Sequence, residues 1–502
     1  MSASLINNLR QLSSGGESGF SVGLPGGPTL FCEKIVRRVP GKRLVCQGVW
    51  GQQAVYAKLF IGSDAARYFE RDKCGVERLF KAGIASPAIL FSGLAEDGKT
   101  HIIIFAAIES AHNAEDIWRE LDSPQRLNLA HKLVQTVALH HQAGLLQTDL
   151  YLKNFLVQPV LNQEDLIYTL DGDGIRSISP WFKKRQKLRN LATLFSKMDV
   201  LDDGWITALY AQYCLQLGIT HSPVDVAEVL DLTQKIRHQV ATGYADKKVF
   251  RNCTDVKVMR SFKCFQAVAA DFCVESQALT SLDSFLAEAK LNLKNGNTCT
   301  VGKVMLAGQS VIIKRYNIKN FWHGLNRAFR VSRAAKSWAN AYRLIISNIA
   351  TAKPLALVEM RFGCFRRRAY YLSEYIDAPD VMQFFAQSTK LEDRQTVARN
   401  LATLFYKLYL LKFSHGDCKA SNIKIVNLAP VLIDLDGMQT HFGGVVGDWW
   451  FERKHIKDLK RLMKNWANDA EVTHLLKQAF VQEYTAQHPG EDDRILIRAG
   501  VV

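Results

Sequence analysis

The 502-residue chain has ten cysteines and no C-x-x-C pair among them. That lack disfavours zinc sites and a disulfide framework, and leaves most of the cysteines as small core hydrophobes with reduced thiols. No run of about 18 apolar residues that could span a bilayer is present. The N-terminal MSASLINNLRQLSS has neither the basic start nor the continuous apolar core of a signal peptide. The expectation is a cytoplasmic protein, at most attached to a membrane surface. Acidic residues are short, 48 Asp and Glu against 64 Lys and Arg, for a net charge of +16. The imbalance favours a polyanionic partner, whether nucleic acid, an anionic membrane face or a phosphorylated substrate.

What is present is the composition of a folded protein with real cores, 48% hydrophobic and 22% charged. The length allows two to three domains at about 150 residues each. Residues 1–27, with Ser13-Ser14-Gly15-Gly16 and the glycines from Gly23 to Gly27, show no periodicity and are expected to be flexible.

The most informative stretch is SHGDCKASNIKIVNLAPVLIDLDG, Ser414 to Gly437. Asp417 is followed five positions later by Asn422, and the apolar run Val431-Leu432-Ile433 ends in Asp434. Phosphoryl transfer uses this set: an Asp to accept the proton of the attacking hydroxyl, an Asn whose amide oxygen holds magnesium, and a second Asp for the metal bridging the phosphates. Turn chemistry explains any one of these residues. It does not explain Lys314 inside the strand pattern Val311-Ile312-Ile313-Lys314, where a kinase lysine reaches the α and β phosphates. Cys418, next to the expected base, is a candidate reporter of the site by alkylation.

The pattern recurs upstream. Asp149 and Asn154 are again five residues apart, Leu166 to Leu170 runs into Asp171-Gly172-Asp173-Gly174, and Lys58 sits in Ala54-Val55-Tyr56-Ala57-Lys58-Leu59-Phe60. A self-similar period of about 265 residues, Asp149 to Asp417, reads as two tandem domains of one fold. The expected limits are 28–250 for a divergent first module, 251–275 for a connecting segment and 276–502 for the second.

Gly41 and Gly296 precede Lys58 and Lys314 by 17 and 18 residues, where a loop over the phosphates would lie, although neither site has three spaced glycines. On the segment Ala65 to Lys81, Asp72 shares a helical face with Val76 and Leu79, which makes it the first candidate to hold Lys58, with Glu70 and Glu77 competing. The corresponding position in the second module is Ser337, so the helix carboxylate is missing there, with Asp377 or Asp436 as substitutes. Glu374 begins the hinge expected to meet the adenine. Asn317 to Leu344 interleaves Lys319, Arg327 and Arg330 with Phe321, Trp322 and Phe329, a pattern shared by helices at anionic lipid surfaces and by ordinary core helices.

With HGDCKASN, LIDLDG, VIIKRY, SRAAKSWANAYRL and KDL (Lys457 to Leu459) in view, the chain resembles the bacterial lipopolysaccharide core kinase family, the Kdo and heptose kinases distantly related to protein kinases. The resemblance covers nearly all of the second module and, more loosely, Gly41 to Leu194. It implies an α+β fold of two tandem bilobal kinase-like domains, each with a β-rich N-terminal lobe and a helical C-terminal lobe. It also implies ATP and Mg²⁺ as cofactors and a sugar hydroxyl of the lipopolysaccharide inner core as acceptor. The expected partners are then an anionic glycolipid and an anionic membrane surface, with no nucleic acid. Carried over, Lys314 would hold the phosphates, Asp417 act as base, Lys419 neutralise the γ-phosphate, His415 brace the loop, and Asn422 and Asp434 bind Mg²⁺. The first module keeps Lys58, Asp149, Asn154 and Asp171 but has Gln147 in place of the His and Tyr151 in place of the Lys. Lys153 is the candidate to reach the phosphate there. Two other readings stay open: a protein or small-molecule kinase, and a regulatory or scaffold protein of envelope glycolipid biosynthesis.

Overall fold

The computed structural model describes residues 2–14, 19–161, 164–288, 291–295, 299–317, 330–487 and 493–502. Two compact units divide the chain, one of Met1–Met198 with Asp202–Thr233 and one of Asp199–Leu201 with Gln234–Val502. Each is an α+β kinase-like module.

Strands of the first unit form a six-stranded antiparallel sheet in the order Phe20–Val22, Leu30–Val39, Arg43–Trp50, Gln53–Phe60, His101–Ala106, Ile89–Leu94. Alternation drives it: Leu44 and Cys46, then Val55, Ala57 and Leu59, face one core with Ile102 and Ile104. The N-terminal residues do not conform to the flexible expectation. Ser2–Ser14 is a helix whose Leu9 and Leu12, three positions apart on one face, are buried in that core. The helical lobe is led by Ser123–Gln142, started by an Asp122 and Gln125 capping box.

The second unit has a seven-stranded sheet, ordered Val256–Arg260, Cys264–Ala269, Pro354–Phe362, Phe365–Glu374, Gln309–Tyr316, Cys299–Leu306, Leu291–Asn295. The stretch read as a connecting segment thus supplies two strands of this sheet, because Cys264 to Val268 pairs in register with Met360 to Ala356. Helix Arg333–Ile346 starts at Ser332, whose side chain accepts from Ala335 N–H, and buries Trp338 with its indole N–H donated to Val249 O at 3.1 Å. The helical lobe packs Leu401 and Phe405 of Leu391–Leu410 into one core with Leu459 of Gly444–Met463 and Phe480 of Ala470–Gln487. Among the described residues no helix is long and apolar enough to cross a membrane.

Candidate active site

In the first module Lys58 Nζ donates to Asp72 Oδ2 at 2.7 Å and to Asp171 Oδ1 at 3.1 Å. Arg43, which sequence reading did not single out, adds a second cation 3.5 Å from Asp72 and 3.8 Å from Asp171. Burial pushes the Asp72 carboxyl up, with Lys58 opposing. Burial acts on Asp171 in the same sense, but Lys58 and Arg43 prevail and hold it below the usual carboxylate value. Of the competing helix acids, Glu70 is exposed and Glu77 lies 4.0 Å from Lys73 at the surface.

Helix Ala65–Lys81 carries Asp72 this close because Gly75 and Gly172 let the two backbones touch. A Cβ on Gly75 would meet Gly172 O at 1.9 Å, and one on Gly172 would meet Asp72 O at 2.2 Å. Asp171 itself adopts a left-handed conformation with φ 63°. The neighbouring Asp173 is held by Arg71.

The loop of Asp149 and Asn154 is braced by Gln147, whose Nε2 donates to Leu170 O at 2.9 Å. Asn154 Nδ2 donates to Asp149 O at 2.7 Å. Tyr151 has two ammonium groups over its ring, Lys153 at 4.9 Å and Lys197 at 4.0 Å. Burial lowers the Lys197 ammonium and Asp149 opposes that shift, so the two are electrostatic neighbours.

In the second module Asn422 Nδ2 donates to Asp417 O at 2.8 Å, and His415 Nε2 lies 3.1 Å from Ile433 O. His415 and Gln147 therefore reach the same strand end in the two modules. Lys419 Nζ is 3.5 Å from Asp417 Oδ2. Two residues on helix Gly444–Met463 complete the loop. Asp458 accepts the backbone amides of His415 at 2.7 Å and Gly416 at 3.0 Å, and Arg461 Nη2 lies 2.6 Å from Asp417 Oδ1. Sequence reading noted Asp458 in the KDL motif without a role and missed Arg461; their spacing of three places both on one helical face. In the first module Asn190 takes the place of Asp458 and donates instead to Gln147 O at 2.8 Å.

Lys314 is bound by Asp434 and, at 3.3 Å, by Asp436. Burial opposes its charge, yet Tyr316, Asp434 and Asp436 raise the ammonium above its usual value. Ser337 makes no carboxylate contact and instead lies 3.0 Å from Tyr316 Oη. Asp436 also takes the guanidinium of Arg333 from the same helix. Of the two acids named as substitutes for the helix carboxylate, Asp436 touches Lys314, whereas Asp377 accepts from Tyr375 Oη at 3.4 Å. Where the first module has touching glycines, Asn340 spans the gap, donating to Leu435 O at 2.9 Å and Met438 O at 3.1 Å. Asp434 is left-handed too, with φ 59°.

Gly41 has φ 65° and donates its amide N–H to Ser13 Oγ at 3.0 Å. Gly296 and residues 318–329 of the basic, aromatic stretch lie outside the described residues. Glu374 ends its strand with its amide donated to Lys353 O at 3.0 Å and its carboxylate accepting Lys353 N–H at 2.8 Å, so that amide is not offered to an adenine. Cys418 is fully buried and its thiol is pushed far up by burial, which removes it as an alkylation reporter.

The donor set fits a magnesium nucleotide. Each loop Asn spends its Nδ2 on the backbone, which leaves its Oδ1 to serve as an oxygen ligand. Among the described residues no group of three His, Cys, Asp or Glu could hold a metal alone. Mg²⁺ is ordinarily held by one or two protein oxygens with phosphates and water, which suits this sparse set.

Comparison with the curated proteins gives no match. Among solved structures, the chain is similar to "WaaP in complex with acyl carrier protein", at 20% identity and a TM-score of 0.32, over 41% of this chain and 88% of that one. The model of the "Lipopolysaccharide kinase (Kdo/WaaP) family" matches residues 68–214 and again residues 284–484. Each match holds one lysine-facing helix, one Asp and Asn loop and one Asp-x-Asp-Gly turn, and together they span well over half of the chain, which therefore belongs to the lipopolysaccharide kinase (Kdo/WaaP) family.

Proposed function

We propose that the second module transfers the γ-phosphoryl group of ATP to a sugar hydroxyl, heptose or Kdo, of the lipopolysaccharide inner core, with Mg²⁺. The observation that carries this reading is the convergence of Lys314 on Asp434, beside a loop that presents Asp417, Lys419 and Asn422 together. In this reading Asp417 orients the acceptor hydroxyl and takes its proton, a role worth about 10²–10⁴ in rate. Lys419, half exposed beside it, neutralises charge on the group in flight. Lys314 holds the α and β phosphates, and Asn422 Oδ1 and Asp434 supply protein oxygens to the metal. When bound, Mg·ATP supplies the phosphoryl donor and most of the charge to be managed. His415 and Asp458 hold the loop that carries the base.

For the first module a second reading has its own support. Lys153, the residue that would reach the phosphate, stands over the Tyr151 ring with Lys197. That arrangement favours a module that binds nucleotide or glycolipid through Lys58, Asp171 and Asn154 and assists the second module. The site of action proposed is the cytoplasmic face of the inner membrane.

The test is ATP-dependent transfer to dephosphorylated lipopolysaccharide core by wild type, Asp149→Ala and Asp417→Ala. Loss in Asp417→Ala alone supports one kinase and one assisting module. Partial loss in each, with different sugars left unmodified, means two active sites. Absence of transfer by the wild type with Mg·ATP binding intact overturns the acceptor.

A further inference from the structure

Helix Gly444–Met463, which holds the catalytic loop through Asp458 and Arg461, also has an outer face that no described residue of its own unit covers. Its first two turns expose large apolar side chains: Val445 is 86% exposed, Val446 70%, Trp449 45% and Trp450 50%. Soluble surfaces carry single exposed apolar residues routinely, but four within six positions form a patch. Farther along the same face Arg453, Lys457, Lys460 and Lys464 are exposed, at spacings of four, three and four. The acids of the helix do not offset them. Asp448 is bound to Lys412, Glu452 to Arg494 and Arg498, and Asp458 is buried on the loop amides. The opposite face, Phe451, His455, Leu459 and Leu462, is buried in the core.

We infer that this face docks on an anionic lipid surface, with Val445, Val446, Trp449 and Trp450 in the interfacial layer and Arg453, Lys457 and Lys460 on the headgroups. An amphipathic helix with tryptophan on one part of its exposed surface and lysine on the rest binds such surfaces by apolar burial plus attraction to anionic lipid. Tryptophan prefers the headgroup level, where its ring is buried and its N–H solvated. Arg453 lies 3.9 Å over the Trp449 ring, which joins the apolar and cationic parts into one surface. Because Arg461 touches Asp417 from the same helix, the base stands about 16 Å along the axis from Trp450 at 1.5 Å per residue. The base therefore stands beside the C-terminal end of the docking face, where a lipid-held acceptor would meet it. The inference deepens the reading of the second module as a kinase of a membrane-held sugar, and it names the surface that delivers the acceptor.

The experiment is co-sedimentation of the full chain with vesicles of phosphatidylethanolamine and phosphatidylglycerol, against vesicles of phosphatidylcholine alone. The variants are Trp449→Ala with Trp450→Ala, and Arg453→Glu with Lys457→Glu and Lys460→Glu. The wild type is expected to partition onto the anionic vesicles, less so at high salt, and each variant to bind about tenfold more weakly. Unchanged melting of the variants, and unchanged transfer to a soluble core oligosaccharide, separate docking from folding. No wild-type binding, or equal binding by the variants, overturns the inference. So does retention on polyglutamate beads without vesicle binding, which would make the face a site for acidic protein. Vesicle binding without any transfer to core sugar would leave the docking face standing and remove the kinase reading.

Discussion

Arg461 Nη2 lies 2.6 Å from Oδ1 of Asp417, forty-four positions earlier in the chain. The guanidinium comes from the long helix and Lys419 from the loop itself, so the carboxylate is approached by two cations of different origin. Arg461→Ala leaves Asp417 with Lys419 alone and frees its orientation. The expected result is a fall in kcat of roughly tenfold or more with KM for ATP nearly unchanged, because misplacing a reacting group costs rate before it costs nucleotide binding. Steady-state kinetics checks this, and partial recovery in Arg461→Lys marks a charge-dependent role.

Asp458→Asn is expected to destabilise the second module by about 1–3 kcal/mol. The buried carboxylate accepts two backbone amides, and an amide side chain turns one of those contacts into a donor facing a donor. Thermal or urea melting measures it. The first module uses Asn at the matching place, but Asn190 donates to a carbonyl instead, so Asn190→Asp is expected to destabilise as well.

Thiol labelling of the native protein should modify Cys74, Cys273 and Cys364, which are exposed, and leave Cys418 unmodified. Burial keeps the Cys418 thiol protonated, and only the thiolate reacts. Mass spectrometry after brief alkylation checks it. Labelling of Cys418 at the rate of the exposed thiols would mean that the catalytic loop opens.

Stability should fall as pH is lowered below about 6.5. Burial depresses the imidazoles of His140 to about 3, His141 to about 4 and His455 to about 3. Below the unfolded value the unfolded chain binds the protons, so each histidine costs roughly 1.4 kcal/mol per pH unit until its folded value is reached. Above the unfolded value the effect is absent. His455→Gln, which can still reach Tyr484 Oη, should flatten the slope of the second module in melting between pH 7 and 5.

Much of the candidate site was legible because its spacing is local. Asp417 and Asn422 sit five residues apart since the Asn amide must reach back to the Asp carbonyl, and Asp149 and Asn154 repeat this for the same reason. Asp72 was legible as a face of a helix. Ser337 reads as a missing acid with Asp377 or Asp436 as its substitute, and nothing local chooses between them; it is Asp436 that stands against Lys314 and Arg333. Likewise, Gln147 looked like a lost histidine, whereas its amide makes a brace equivalent to that of His415.

By itself the sequence determined the tandem repetition, the kinase-like class of each module and the order of the loop residues, since these depend on periodicity and short spacings. Only the tertiary structure decided which strands join the second sheet, that Cys418 is sealed from solvent, and that Arg461 and Asp458 converge on the loop. Those facts come from pairings between residues tens to hundreds of positions apart. Packing of the whole core selects such pairings, and no local pattern encodes them.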